Sequence, residues 1–295
     1  MVVDNVNQLS LITTLVSLKD KGVPVSIGTG FFYQDVNSGT IFLVTNYHVI
    51  SGVSPGEGRG FLGDEIEFSV RRRGNRTRTI SLPLLSNDEK VWLEHPTDKH
   101  ADLVMIPLRK EQVYNADILA VSQNSTMMDL HIEPSSSAVL IGYPHGYHDI
   151  RNMLPIWKTG SIASEPEYDF DGKKIIVIDV SAFPGMSGSP AFYVSHGGYK
   201  LKDGSFNYAP GMTHSFIGIY ASMQMINSQL YLEDVSNSSG QMVVHSESLQ
   251  LGHIWKSSLI HDIVNSFNLD LYLQRVYPNR TMLPSMVGGP LEFKF

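Results

Sequence analysis

The chain has no cysteine among its 295 residues. That excludes thiol nucleophiles, disulfides and thiolate metal sites, so the apolar core itself must hold the fold. It also leans towards a reducing compartment, and a cytoplasmic location is expected. Long apolar runs are missing as well. No stretch approaches the roughly 20 apolar residues that a membrane-spanning helix needs, so no membrane is expected as a partner. Residues 1–21 lack a positive leading segment, and polar residues interrupt Leu9, Leu11, Ile12, Leu15 and Val16, unlike a secretory leader. Positive charge is in deficit: Lys and Arg number 22 against 29 Asp and Glu, for a formal net charge of −7. A dedicated nucleic-acid binder needs a net-positive face, so none is expected as a partner.

What is present suits a globular, turn-rich chain. Hydrophobic residues make up 42% and charged residues 17%, with 25 Gly and 15 Pro, and such a composition is usually mostly β. Residues 6–18 place Val6, Leu9, Ile12, Thr13 and Val16 at helical spacing, which predicts a short N-terminal helix ended by Gly22 and Pro24. From Val25 onward, β-branched and aromatic runs alternate with turn residues. They predict strands over 26–34, 40–45, 65–72, 78–82, 91–94 and 103–107, with a hairpin turn at Arg73-Gly74-Asn75. Six strands in the first 110 residues predict a closed or nearly closed barrel.

A second set of strands follows a linker, over 138–142, 157–164, 174–180, 189–193, 216–220, 242–246 and 251–256. The polar stretch 227–241 reads as a surface loop. Leu259, Ile263, Phe267 and Leu271 predict a closing helix over 258–273, and the tail from Tyr277 reads as irregular. The expected organisation is an N-terminal extension over 1–24, a first barrel over 25–112, a linker and second barrel over 113–257, and a C-terminal helix and tail over 258–295.

Three short segments carry chemistry. Thr45-Asn46-Tyr47-His48-Val49 ends an apolar strand, Ala101-Asp102-Leu103-Val104 brings a lone carboxylate into an apolar run, and Pro184-Gly185-Met186-Ser187-Gly188-Ser189-Pro190 is a small-residue turn around one serine. A serine hydroxyl becomes a nucleophile when a base takes its proton, and a neutral imidazole does that near pH 7. The imidazole in turn needs an acceptor on its second nitrogen, which a buried carboxylate supplies. The negative oxygen of a tetrahedral intermediate needs backbone N–H groups that no side chain crowds. His48, Asp102 and Ser187 fit those three demands, and Gly185 and Ser187 are the expected oxyanion donors.

Each residue also has a plainer reading. A Gly-x-Ser-Gly turn recurs by chance, His48 alone would be a satisfied core histidine, and Asp102 alone could cap a turn. Their appearance together and in order favours the triad. His145 and His148 could chelate a metal, but a polar loop is the better reading, so neither metal nor cofactor is expected. Arg71 to Arg78 reads as a solvated hairpin whose charges discourage edge-to-edge pairing.

Taken in order with Gly28-Thr29-Gly30-Phe31-Phe32, these segments resemble the trypsin-like serine proteases, most closely the bacterial, disulfide-free branch that includes the HtrA-like enzymes. The resemblance covers roughly residues 25 to 270. It implies two six-stranded antiparallel β-barrels, with His48 and Asp102 on the first and Ser187 on the second. By the same resemblance, 216–222 is the substrate-pairing strand, so Gly218, Tyr220, Ala221 and Ser222 are expected to bind an extended peptide by β-augmentation. Ser181 falls at the floor of the primary specificity pocket, Met223 at its mouth and His253 behind it.

The departures matter too. Met186 stands where zymogen-activated members have an aspartate, and no activation site precedes Gly28. Ser181 is not an aspartate, so cleavage after Arg or Lys is not expected. A shallow pocket for small or medium aliphatic residues is expected, with acidic specificity through His253 as the rival. The function implied is a serine endopeptidase acting on a protein or peptide substrate. The alternative is an effector protease gated by a regulatory protein partner, or a catalytically weak peptide-binding scaffold.

Overall fold

A computed structural model describes residues 6–56, 61–72, 76–232 and 241–278, with side chains throughout those ranges except at 223–232 and 241–248. The protein is mostly β with few helices. In the N-terminal half, β1 (Thr13–Asp20), β2 (Val23–Gln34), β3 (Ile41–Thr45), β4 (Glu65–Arg72) and β5 (Arg76–Pro83) precede two two-residue strands, β6 (Leu85–Ser86) and β7 (Glu89–Lys90). They are followed by β8 (Leu93–Glu94), β9 (Val104–Leu108) and β10 (Val121–Ser122). Eight of these strands form one sheet in the order β5-β4-β1-β2-β3-β9-β8, with β10 parallel to β2, and that path does not close on itself. The six-stranded first barrel expected from the sequence is thus an open eight-stranded sheet here. Its end strand β8 is only two residues long and pairs with β9 alone among the described strands.

The expected N-terminal helix is also corrected. Only Gln8–Ser10 is helical, as a single 3-10 turn, and Thr13–Asp20 is strand. Ile12 and Val16 fit a helical spacing, but β2 and β4 flank this segment on both sides and pair with it as strand. Tertiary pairing therefore overrides the local helical spacing, and Val16 and Leu18 are fully buried.

The C-terminal half holds a closed six-stranded barrel. Its strands are β11 (Ser137–Gly142), β12 (Ile156–Ile162), β13 (Ile175–Asp179), β14 (Pro190–His196), β17 (Met212–Leu232) and β18 (Gln241–Lys256), with the small hairpin β15 (Tyr199–Lys200) and β16 (Phe206–Asn207) outside it. The expected surface loop at 227–241 is shorter. β17 and β18 stay paired out to Leu232 and Gln241, past the last residues that pair with β13 and β14. Residues 233–240, the expected turn at 73–75 and the expected irregular tail from 279 lie outside the described residues.

The closing helix is two helices, α2 (Ser258–Ser266) and α3 (Leu269–Val276). Asn268 divides them by accepting the Leu271 N–H at 3.0 Å, an N-cap inside the apolar repeat. One core unites the halves: Phe31, Phe42 and Val44 pack in the same cluster as Val139, Phe192, Phe216 and Trp255. That shared core sets β2 against the turn that carries Ser187. The basic hairpin is less solvated than expected. Arg71 donates to the carbonyls of Asn152 (3.0 Å) and Met153 (2.5 Å), and Arg78 donates to that of Gln112.

Candidate active site

β3 delivers His48. Its last residue is Thr45, and the chain turns at once into α1 (Tyr47–Ser51), a five-residue helix ended by Gly52. β9 delivers Asp102, which lies two residues before Val104, the partner of Thr45 in the β3–β9 register. A separation of 54 residues is thereby closed to contact. Asp102 Oδ2 lies 2.5 Å from His48 Nδ1, and Oδ1 accepts the His48 backbone N–H at 3.0 Å. Asn46, fully buried, donates from Nδ2 to the Asp102 carbonyl at 2.5 Å. Asp102 is 14% exposed and His48 32%, so the carboxylate is sheltered while the imidazole opens to solvent. An acceptor on Nδ1 leaves Nε2 as the nitrogen that takes or gives a proton.

Ser187 sits in the turn between β13 and β14. Its carbonyl accepts the Thr29 N–H at 2.8 Å, and the next N–H, of Gly188, donates to the Tyr220 carbonyl at 2.8 Å. Gly188 has φ +89°, and a Cβ there would lie 1.8 Å from the Thr29 carbonyl oxygen, so only glycine fits. The Ser187 hydroxyl donates to the Ala221 carbonyl at 2.8 Å; no hydrogen bond to His48 is formed among the described residues.

In the same turn, the Pro184 carbonyl accepts the His145 N–H (2.6 Å), the Gly185 carbonyl accepts the Thr29 hydroxyl (2.8 Å), and the Met186 N–H donates to Phe183 (3.1 Å). Among the described residues, the N–H groups of Gly185 and Ser187 donate to nothing. A Cβ on Gly185 would meet Tyr143 O at 2.5 Å, so the glycine is required by close approach as well as by its φ of +92°.

The residues expected to bind substrate divide into two sets. Gly218 pairs on both sides, with Ala191 and Lys256. Tyr220 uses its N–H on Ser189 and its carbonyl on Gly188, and its ring is buried in the second barrel with Met186, Ile178 and Ile254. Burial pushes the Tyr220 phenol up to about 12. Neither residue keeps main-chain groups for a peptide, so the expectation is corrected: an open edge of β17 can begin only at Ala221. Ser222 is exposed there, and the side chain of Met223 lies outside the described residues.

Ser181 is exposed just after β13. His253 is half-buried, paired with Val177 and Ser222, and its ring lies 6.2 Å from that of Phe170. Burial, and then Lys173, hold its imidazole below the ordinary range, against the pull of Asp171. Thr29, Asn46 and Tyr143 were not singled out from the sequence as site residues. Asn46 and Thr29 stand inside the quoted motifs, but nothing in a linear sequence shows where their side chains donate.

The trypsin-like peptidase domain family matches residues 28–198, more than half of the chain. The chain belongs to that family. Three of the solved structures that match the chain are the following. A serine endoprotease from Yersinia pestis is 14% identical, with a TM-score of 0.45, covering 88% of this chain and 65% of its own. The chain thus spans just under two thirds of that protein's length. A thermostable serine protease from an extremophilic microorganism is 12% identical (TM-score 0.41; 87% and 97% covered), and an inactivated protease paralogue of the scabies mite 13% (0.43; 88% and 97%). No curated protein sequence matches the chain. Among the described residues no helix is long and apolar enough to cross a membrane.

Proposed function

We propose that this protein is a serine endopeptidase that cleaves protein or peptide substrates through an acyl-enzyme, with Ser187 as nucleophile, His48 as general base and acid, and Asp102 as the carboxylate that orients His48. The observation that carries this reading is the doubly hydrogen-bonded Asp102–His48 pair, which leaves Nε2 as the working nitrogen. Ser187 Oγ must turn from the Ala221 carbonyl towards that nitrogen. Catalytic hydrogen bonds are commonly long or unmade before substrate binds. Nε2 then takes the hydroxyl proton as Oγ bonds to the scissile carbonyl carbon, and the carbonyl oxygen becomes the oxyanion held by the N–H groups of Gly185 and Ser187. Collapse expels the amine with the proton from His48, and water repeats the sequence to release the acid. In this reading the open N-terminal sheet is the counterpart of a first six-stranded barrel, and no metal or cofactor takes part.

Substrate would pair with the edge starting at Ala221 and Ser222. An exposed Ser181, with Met186 and Tyr220 turned into the core, supports a shallow pocket for small or medium aliphatic residues.

The bond from Ser187 to Ala221 favours one second reading, an enzyme whose serine is released by a regulatory partner. Labelling with a fluorophosphonate probe separates the two. Labelling of the wild type that is lost in both Ser187→Ala and His48→Ala supports the unaided enzyme. A folded wild type that stays unlabelled sinks that reading and leaves the gated one.

A further inference from the structure

Thr29 is fully buried in β2, and four hydrogen bonds tie it to the active site. Its hydroxyl donates to the Gly185 carbonyl at 2.8 Å and accepts the Tyr143 N–H at 3.1 Å. Its own N–H donates to the Ser187 carbonyl at 2.8 Å, and its carbonyl accepts the Thr45 hydroxyl at 2.7 Å. A hydroxyl has one proton and two lone pairs. The Tyr143 amide can only donate, so it occupies a lone pair and leaves the proton for Gly185. Thr29 therefore clasps three segments at once: the turn around Ser187, the end of β11, and the end of β3 that leads to His48.

We propose that Thr29 is a positioning residue for the oxyanion donors, a role that rests on the assignment of Ser187 as nucleophile. A trans peptide points its N–H away from its C=O. Anchoring the Pro184 carbonyl on His145 therefore turns the Gly185 N–H away from that anchor. The next peptide, between Gly185 and Met186, is held at both edges, by the Thr29 hydroxyl and by Phe183. Gly185 lies between these two planes, and a glycine resists rotation less than any other residue. The hydroxyl of Thr29 is the only side-chain donor on either plane among the described residues. Without it, the Gly185 carbonyl and the Tyr143 N–H both lose their partner in a buried place. The 185–186 peptide then keeps only the bond from the Met186 N–H to Phe183, and the glycine hinge next to the Gly185 donor loses one of its anchors.

The test is the saturation kinetics of fluorophosphonate labelling, in which the phosphoryl oxygen takes the oxyanion position. Loss of one whole oxyanion donor lowers such rates by about 10²–10³-fold, and disordering one sets an expectation of about 10- to 100-fold. Thr29→Val, which keeps the shape and removes the proton, should lower the maximal labelling rate by that factor. The half-saturating probe concentration should stay within about threefold, and the pH midpoint should be unchanged because His48 and Asp102 are untouched. Thr29→Ser should recover the wild-type rate to within about threefold. A wild-type rate in Thr29→Val, or Thr29→Ser as slow as Thr29→Val, overturns the proposal. If Thr29→Val does not fold, Thr29→Cys replaces it, because its thiol is a weak donor; it must then be slower than Thr29→Ser. A wild type that does not label, or Ser187→Ala that still does, overturns the nucleophile assignment itself, whatever the Thr29 variants show.

Discussion

His48 and Asp102 meet because a register is met. Thr45 pairs with Val104, which places Asn46 and His48 against the backbone and carboxylate of Asp102. His253 shows the opposite use of burial. Its imidazole is held below the ordinary range first by burial and next by Lys173, so it is neutral at pH 7 and pairs poorly with a carboxylate there. A peptide-library cleavage profile at pH 7.5 should therefore favour small or medium aliphatic residues. Any preference for glutamate should rise only as pH falls and the imidazole gains its proton. A dominant basic preference, or a glutamate preference that is strongest at alkaline pH, would refute this account.

Among the elements, α3 depends on one cap. Asn268 lies in the middle of an apolar repeat that reads as a single helix, and its side chain caps the start of α3 just after Phe267 closes α2. α3 then buries Tyr272 and Val276 in the N-terminal core, where the Tyr272 hydroxyl donates to the Val91 carbonyl and Ser86 and Asn87 donate to that of Val276. Asn268→Ala should cost about 1 kcal/mol, the usual worth of such a cap. In a chain of this size that lowers the Tm by about 2–4 °C, readable by circular dichroism. No change in Tm would show that packing alone holds the helix.

In the whole molecule, a hydrogen-bonded knot joins the two halves. His95, almost fully buried beside β8, has Nε2 3.2 Å from Asp262 on α2, and Lys174 next to β13 reaches the same oxygen at 3.2 Å. Burial alone would raise the Asp262 carboxyl, but the hydrogen bonds from His95 and Lys174 outweigh it and hold the carboxyl below the usual range. A group depressed in the folded state stabilises the fold above its unfolded value, about 3.9, and the gain is lost as pH falls through the folded value. The Tm of wild type should thus exceed that of Asp262→Asn at neutral pH, with the gap closing as pH drops below about 4. A gap independent of pH would assign the effect to packing.

Much of this was open to the sequence by itself. The strand over 65–72, the glycines around Ser187, and the order of His48, Asp102 and Ser187 follow from local rules: alternating apolar residues, turns without side chains, and the chemistry an activated hydroxyl demands. Tertiary structure decided the rest, because it depends on partners far along the chain. Residues 13–20 became strand since β2 and β4 lie on either side. Among the described residues the first sheet runs from β5 to the two-residue β8 without closing. Tyr220 turned into the core, and the Thr29 hydroxyl found Gly185, 156 residues away. Periodicity can mark which face of a segment is apolar, but it carries no information about which distant donor will satisfy a buried carbonyl.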